Sequence, residues 1–293
     1  MNPAPPVAGA NRSSLKAFGV IVSGFVVVWV VLDRSATWLD SNMGEAGVLV
    51  CALVILAALA VERLLFGTGP RRALRRLGFG RSNGRAILAG SLVALAMISF
   101  YPIFSLITGA QVSLHSGWML MALGLFLQHG IAEEVLFRGY LFRHLREGRS
   151  FWRAAFLSMV PFVAVHLLLL VYLDFAVAAA SILVAVATAF PLAYMFERDN
   201  NTIWTPALLH GAAHSIKLVS IPEGVSPTAS LTWFAVVAVV PYLVFAFPKS
   251  FFEPGGNRAA WRTPTIPGGT GNASMSKKKP DRDETEGNLE KGV

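Results

Sequence analysis

The chain alternates between long apolar runs and short polar connections. Most runs approach the roughly 20 residues that an α-helix needs to cross the hydrocarbon of a bilayer. Eight runs lie at residues 17–32, 46–66, 86–108, 118–142, 154–172, 175–196, 203–219 and 230–248. The pattern predicts an all-α fold, a polytopic membrane helix bundle of about eight transmembrane helices that occupies residues 17–248.

Basic residues mark one side of the predicted bundle. Connections 67–85 and 143–153 together carry ten arginines, with Glu147 as their only acid. The alternate connections carry Arg34 as their only lysine or arginine and lie at residues 33–45, 109–117, 173–174 and 220–229. Because arginine-rich loops stay on the cytoplasmic side, a chain with eight spans has both termini in the cytoplasm. We expect an integral protein of a bacterial inner membrane.

Composition agrees with the bilayer as the surroundings of this chain. Of its 293 residues, 54% are hydrophobic and only 14% are charged, too apolar for a soluble globule. The net charge of +8 does not indicate a nucleic-acid partner, because the basic residues lie between apolar runs and topology explains them. Residues 1–16 are predicted to be a cytoplasmic N-terminal segment, and residues 249–293, poor in large apolar side chains, a disordered cytoplasmic tail.

The functional interpretation rests on six ionisable side chains within the predicted spans, where charge is costly. They are Glu133, Glu134 and Arg138 in the fourth span, His166 in the fifth, and His210 and His214 in the seventh. At about 1.5 Å per residue from the arginine-marked side, the acids and the histidines fall at a similar depth. A lone ion pair or histidine is often a packing element, but six such groups at one level favour a functional centre. Three further histidines, His115, His129 and His144, fall outside this pattern. His115 lies in an outer connection and His144 near the interface, while His129, one turn from Glu133, could support that residue.

Helical spacing separates the roles of the two glutamates. At 100° per residue, Glu134 and Arg138 share a face and Glu133 points about 100° away, while His210 and His214 project together. A carboxylate with an imidazole can hold and deprotonate water, and other donors can stabilise the oxyanion that forms when this water attacks an amide. Because Arg138 faces Glu134, the spacing favours Glu133 as the base. No serine or cysteine nucleophile with a matching base stands out.

The ligand types leave a zinc site open, since histidines four residues apart with a glutamate can bind this metal. The metallopeptidase signature H-E-x-x-H is absent, because the seventh span reads His210-Gly-Ala-Ala-His214. The sequence therefore favours a mechanism that needs neither a metal nor another cofactor.

Three short motifs occur in order on separate predicted spans: Glu133-Glu134-Val-Leu-Phe-Arg138, Phe162-Val-Ala-Val-His166 and His210-Gly-Ala-Ala-His214. They resemble the motifs of the CAAX protease and bacteriocin-processing (CPBP) family of glutamate intramembrane peptidases, over a core at residues 118–219. The resemblance implies an endopeptidase whose substrate is a peptide or a membrane-associated protein, and we expect it to cleave near the cytoplasmic face. It further implies that Glu133 with His166 activates water, that Glu134 and Arg138 support the site, and that the two histidines of the seventh span form the oxyanion hole. His214 departs from the pattern, since many members carry asparagine there.

Two functions other than proteolysis stay open at this point. A non-enzymatic immunity or scaffold protein could keep the motifs for helix packing. A proton-coupled transporter could use buried glutamates and histidines as a relay. Transport would be favoured by inverted repeats and by broken spans in corresponding positions, and the sequence shows neither clearly.

Overall fold

The computed structural model describes residues 9–39 and 44–253, with side chains from residue 16 onward. This part of the chain is almost entirely helical, which confirms the predicted all-α class. The α-helices are α1 (Gly9–Trp38), α2 (Gly44–Phe66), α3 (Pro70–Arg76), α4 (Gly84–Ile98), α5 (Phe100–Thr108), α6 (Trp118–Leu125), α7 (Arg143–Arg146), α8 (Phe151–Leu167), α9 (Leu169–Tyr172), α10 (Phe175–Arg198), α11 (Trp204–Ala213), α12 (Ser226–Val239) and α13 (Lys249–Phe252). Two π-helical segments, Phe126–Ala132 and Val135–Phe142, lie between α6 and α7, and 3₁₀ turns cover Ser215–Leu218 and Val240–Ala246. Strands β1 (Ser113–Leu114) and β2 (Val219–Ser220) pair antiparallel.

Seven helices in the described residues are long and apolar enough to cross a bilayer, which confirms the predicted polytopic bundle. They cover Lys16–Trp38, Gly44–Phe66, Gly84–Thr108, Trp118–Arg146, Phe151–Tyr172, Phe175–Arg198 and Ser226–Ala246. We call Trp118–Arg146 the site helix. The largest buried cluster packs this helix against α1, α2, α8 and α10.

The predicted span 203–219 does not form a long helix, so about eight long helices become seven. α11 has only ten residues and continues as a 3₁₀ turn and β2. This segment still runs from one end of the bundle to the other. At one end the Ile203 amide donates to the Gly78 carbonyl (3.2 Å), and at the other Val219 pairs with Leu114. Since 3₁₀ and extended residues rise further than α-helical ones, the segment covers about 30 Å, the thickness of the hydrocarbon. It therefore crosses the bundle with less helix than its apolar length suggests.

The two arginine-rich connections lie on the same side of the bundle. Arg76 Nη2 donates to Glu147 Oε1 (2.5 Å), and Arg143 Nη1 donates to the carbonyl of Arg76 (3.1 Å). Arg85 Nη1 donates to the carbonyl of Glu253 (2.9 Å), so the last described residue lies there too. We call this side the arginine-rich face and the opposite side, which holds β1 and β2, the arginine-poor face. That the arginine-rich face is cytoplasmic stays a prediction from charge.

The predicted terminal segments fall largely outside the described residues. Of the predicted tail 249–293, the part up to residue 253 is described, and Phe252 in α13 is buried there. Of the predicted N-terminal segment 1–16, the backbone is described from residue 9. The domain boundaries therefore stay predictions.

Glycines bring the site helix into close contact with its neighbours. A Cβ atom on Gly139 would overlap the carbonyl of Leu77, and one on Gly124 would overlap the backbone of Gly44. Small residues permit such close approach of helices in membranes. The site helix is thereby held at one end by the connection after α3 and at the other by α2.

Asp199 fixes the start of α11 against the arginine-rich connection 67–85. Its carboxylate is fully buried and accepts four hydrogen bonds. Oδ1 accepts from the hydroxyl of Ser82 and from the amide of Asn83 (2.7 Å), and Oδ2 accepts from Thr202 Oγ1 (2.6 Å) and the amide of Thr205 (3.0 Å). Because α11 carries His210 and ends beside His214, this carboxylate sets the position of both histidines.

We expect Asp199→Ala to lower the free energy of unfolding by about 3 kcal/mol, because it leaves several buried donors without an acceptor. Asp199→Asn, which keeps one acceptor oxygen, should lose less. Thermal unfolding in detergent checks both values. The matched control is Asp174→Ala, which removes an exposed aspartate that makes no capping hydrogen bond. Equal stability of the Asp199 and Asp174 variants would contradict this role.

Candidate active site

The site helix changes its winding around the two glutamates. Glu133 and Glu134 lie between the two π-helical segments, in which hydrogen bonds run to the fifth residue instead of the fourth. Segments of this kind are rare and often occur at functional sites. The wider turn shifts side chains away from the ideal 100° spacing, so the contacts of each acid follow from the structure and not from the spacing alone.

Glu134 is completely buried and holds two basic side chains. Its Oε1 accepts from Arg138 Nη1 (2.7 Å) and lies 2.7 Å from His210 Nδ1. Arg138 is also buried, with its guanidinium 5.1 Å from the ring centroid of Phe162. The second oxygen, Oε2, is buried without a hydrogen-bond partner. Glu134 and Arg138 thus form a buried ion pair, and Glu134 also holds His210 against the site helix.

Glu133 points to a different group of side chains. Its Oε1 lies 2.6 Å from His129 Nδ1, and its Oε2 lies 3.6 Å from His210 Nε2. His210 therefore stands between the two carboxylates, with one ring nitrogen toward each. The structure brings Glu133, Glu134, Arg138 and His210 together as one connected group.

His166 approaches this group without a direct hydrogen bond to either acid. Its Nδ1 lies 2.7 Å from the carbonyl of Phe162, and because a carbonyl only accepts, Nδ1 carries the proton. The neutral ring then has an unprotonated Nε2 that can accept a hydrogen bond. His166 and Glu133 make no direct contact, but both side chains line the same cavity.

A cavity of about 800 Å³ lies beside these residues. Glu133, His166 and His210 line it, whereas Glu134 and Arg138 do not. Its remaining polar lining includes His129, His214 and Lys217, and its apolar walls come from α1, α8, α10 and α12. Of the two adjacent acids, Glu133 is the one that can meet a molecule in the cavity.

His129 belongs to this group, although the sequence interpretation placed it outside. Besides its hydrogen bond to Glu133, its ring stacks on that of His214 with centroids 3.8 Å apart and planes 9° apart. Its Nε2 lies 3.4 Å from Lys217 Nζ. The spacing of four residues between His129 and Glu133 was a usable signal. Lys217 lies inside the predicted seventh span and is likewise absent from the count of six ionisable groups.

A second buried cluster lies nearer the arginine-rich face. Glu62 is fully buried, with Oε1 2.6 Å from His144 Nε2 and Oε2 3.7 Å from Arg76 Nε. The count of six ionisable groups omitted Glu62, and His144, which was placed outside the group, is buried. This cluster ties α2 and α3 to the end of the site helix and does not line the cavity.

The same side chain types could in principle bind a metal ion. Among residues 9–39 and 44–253, no three His, Cys, Asp or Glu side chains are arranged to hold one metal ion. The mechanism without a metal stays a proposal, to be tested in solution.

Residues 115–216, about a third of the chain, match the family model described as type II CAAX prenyl endopeptidase Rce1-like. The resemblance to the CAAX protease family is confirmed. The matched segment contains all six predicted site residues, and the family supports an intramembrane protease. No curated protein and no solved structure was found to match the chain.

Proposed function

We propose that this protein is an intramembrane endopeptidase that hydrolyses a peptide bond in a membrane-associated protein or peptide with water activated by Glu133 and His166. One observation carries the proposal: Glu133 and His166 line the same cavity, while the neighbouring Glu134 and Arg138 lie outside it. A carboxylate and an imidazole acceptor that face one space can hold a water molecule between them.

In the proposed reaction, the water oxygen attacks the carbonyl carbon of the substrate and its proton passes to Glu133. His166 Nε2 accepts a hydrogen bond from the same water and orients it. When the carbon–nitrogen bond breaks, Glu133 returns the proton to the leaving nitrogen. The products are a carboxylic acid and an amine, and the enzyme regains its starting state.

The remaining residues are proposed to hold the site in position and to stabilise the oxyanion. Arg138 and Glu134 fix His210, whose two ring nitrogens are directed at the two glutamates. His210 and His214 are the two histidines predicted to form the oxyanion hole. Of these, His214 makes no side-chain hydrogen bond to another described residue, so its ring N–H is left to donate to the oxyanion. His214 thus takes the place at which many family members carry asparagine, and stacking on His129 fixes its ring.

His129 is proposed as a positioning residue for Glu133. Because a hydrogen bond to a charged group contributes about 1.5–3 kcal/mol, His129→Leu should lower kcat by about tenfold or more and leave KM little changed. His129→Gln, whose amide still donates, should retain most of the activity. Steady-state kinetics of the three proteins checks this. Equal losses in the Leu and Gln variants would contradict a role through this hydrogen bond.

No metal takes part in the proposed mechanism. We therefore expect EDTA and 1,10-phenanthroline to leave the cleavage rate unchanged, while a zinc peptidase assayed alongside loses activity. Loss of cleavage that added zinc restores would replace this mechanism with a metal-dependent one.

The proposed function is tested by comparing protein termini in membranes that contain wild type, Glu133→Gln or the control Glu223→Gln, which changes an exposed glutamate. We expect a protein with a new terminus in wild-type and control membranes and its uncut form in Glu133→Gln membranes. If folded, equally abundant variants leave every terminus unchanged, the scaffold and transport functions gain support.

A further inference from the structure

The cavity is closed toward the arginine-rich face. At this end its lining residues Phe137, Phe162 and Leu192 are at most 4% exposed. Phe137 belongs to the π-helical segment Val135–Phe142, in which every residue is buried. A substrate has no path to Glu133 through this packed layer.

The opposite end of the cavity is open. Its lining includes exposed Thr37 at the end of α1, Tyr172 (77% exposed) and Leu173 (44% exposed) before α10, and exposed Lys217 beside β2. All four positions adjoin the connections of the arginine-poor face. The unobstructed route to Glu133 therefore starts at that face.

The distribution of arginines predicts on which side of the membrane the arginine-poor face lies. Ten arginines in connections 67–85 and 143–153 mark the arginine-rich face, and the contacts of Arg76 with Glu147 and Arg143 hold both connections on that one side. Arginine-rich loops stay in the cytoplasm, so the arginine-poor face lies outside it.

We propose that the substrate enters the cavity from the non-cytoplasmic side, through the mouth formed by Thr37, Tyr172, Leu173 and Lys217. This inference rests on the proposed function and narrows its substrate class to proteins that expose the cleaved segment on that side. It departs from the expectation, drawn from the sequence, of cleavage near the cytoplasmic face. A volume of about 800 Å³ is in the upper range of ligand sites and admits a short extended peptide. Walls that include Trp29, Val165 and Trp233 suit apolar residues next to the cleaved bond.

Single cysteines test the position of the mouth. In a Cys51→Ala background, Ser181→Cys places a thiol on the cavity wall, Ser113→Cys on the arginine-poor face and Ser150→Cys on the arginine-rich face. A charged, membrane-impermeant maleimide is applied to right-side-out vesicles and to permeabilised ones. We expect labelling of Ser181→Cys and Ser113→Cys in intact vesicles, and of Ser150→Cys only after permeabilisation.

Two outcomes would overturn the inference. If Ser181→Cys is labelled only after permeabilisation, the mouth opens to the cytoplasm. If Ser181→Cys resists the charged reagent in both preparations while Ser113→Cys reacts, the cavity opens to lipid alone. Labelling needs no catalysis, so its result stands apart from the comparison of termini that tests the proposed peptidase.

Discussion

Glu133→Gln is expected to lower the rate of peptide hydrolysis by at least about a hundredfold while the protein stays folded, because a positioned general base contributes roughly that much or more. Glutamine keeps the size of the side chain and an oxygen that can accept from His129 Nδ1, whose distance to Glu133 Oε1 is 2.6 Å. It cannot take a proton from water. Initial cleavage rates of the purified variant, together with its thermal unfolding in detergent, check both parts.

The same substitution at an exposed site provides the matched control for this prediction. Glu223→Gln removes an equal charge from the arginine-poor face and should cleave at the wild-type rate. If folded Glu133→Gln retained full activity, Glu133 would not be the base.

Arg138→Met should lower the free energy of unfolding by about 3–5 kcal/mol, the usual cost of leaving a buried charge without its partner. Glu134 is completely buried, and its Oε1 lies 2.7 Å from Arg138 Nη1. Methionine fills much of the space of arginine but gives the carboxylate no donor. Unfolding in detergent measures the loss.

Two further variants separate charge from packing at this pair. Glu134→Gln combined with Arg138→Met removes both charges and should recover part of the lost stability, since a buried pair can often be replaced at little cost. Arg72→Met, at an exposed position of α3, should be neutral. A single Arg138→Met variant as stable as the wild type would contradict the proposed role of this pair.

The bundle could be predicted from the sequence because its two signals are local. Apolar length and the alternation of arginines gave the spans and placed connections 67–85 and 143–153 on one side, as the contact between Arg76 and Glu147 shows. The prediction that residues 203–219 form a long helix was wrong for a definite reason. Hydropathy does not distinguish an α-helix from a 3₁₀ turn or a strand, and this segment uses all three.

Residue spacing accounts for the contacts within one helix of the site and not for those between helices. Four residues separate Glu134 from Arg138, and their pairing follows from helix geometry. The contact of His210 with Glu134 joins residues 76 positions apart, and that of His144 with Glu62 joins residues 82 apart. Such contacts depend on how helices pack, which no local pattern encodes. His129 was left outside the six site residues, although its position one turn from Glu133 already suggested a supporting role, and the structure places it in contact with Glu133.

A double-mutant cycle tests most directly whether Glu133 and His166 act on one water molecule across the shared cavity. The cleavage rates of Glu133→Gln, His166→Ala and the combined variant are compared with the wild type, with exposed His115→Ala as the histidine control. Residues that act as a unit are strongly non-additive, so the combined variant should be no slower than the slower single variant. Losses that multiply would show that the two residues act independently and would contradict this mechanism.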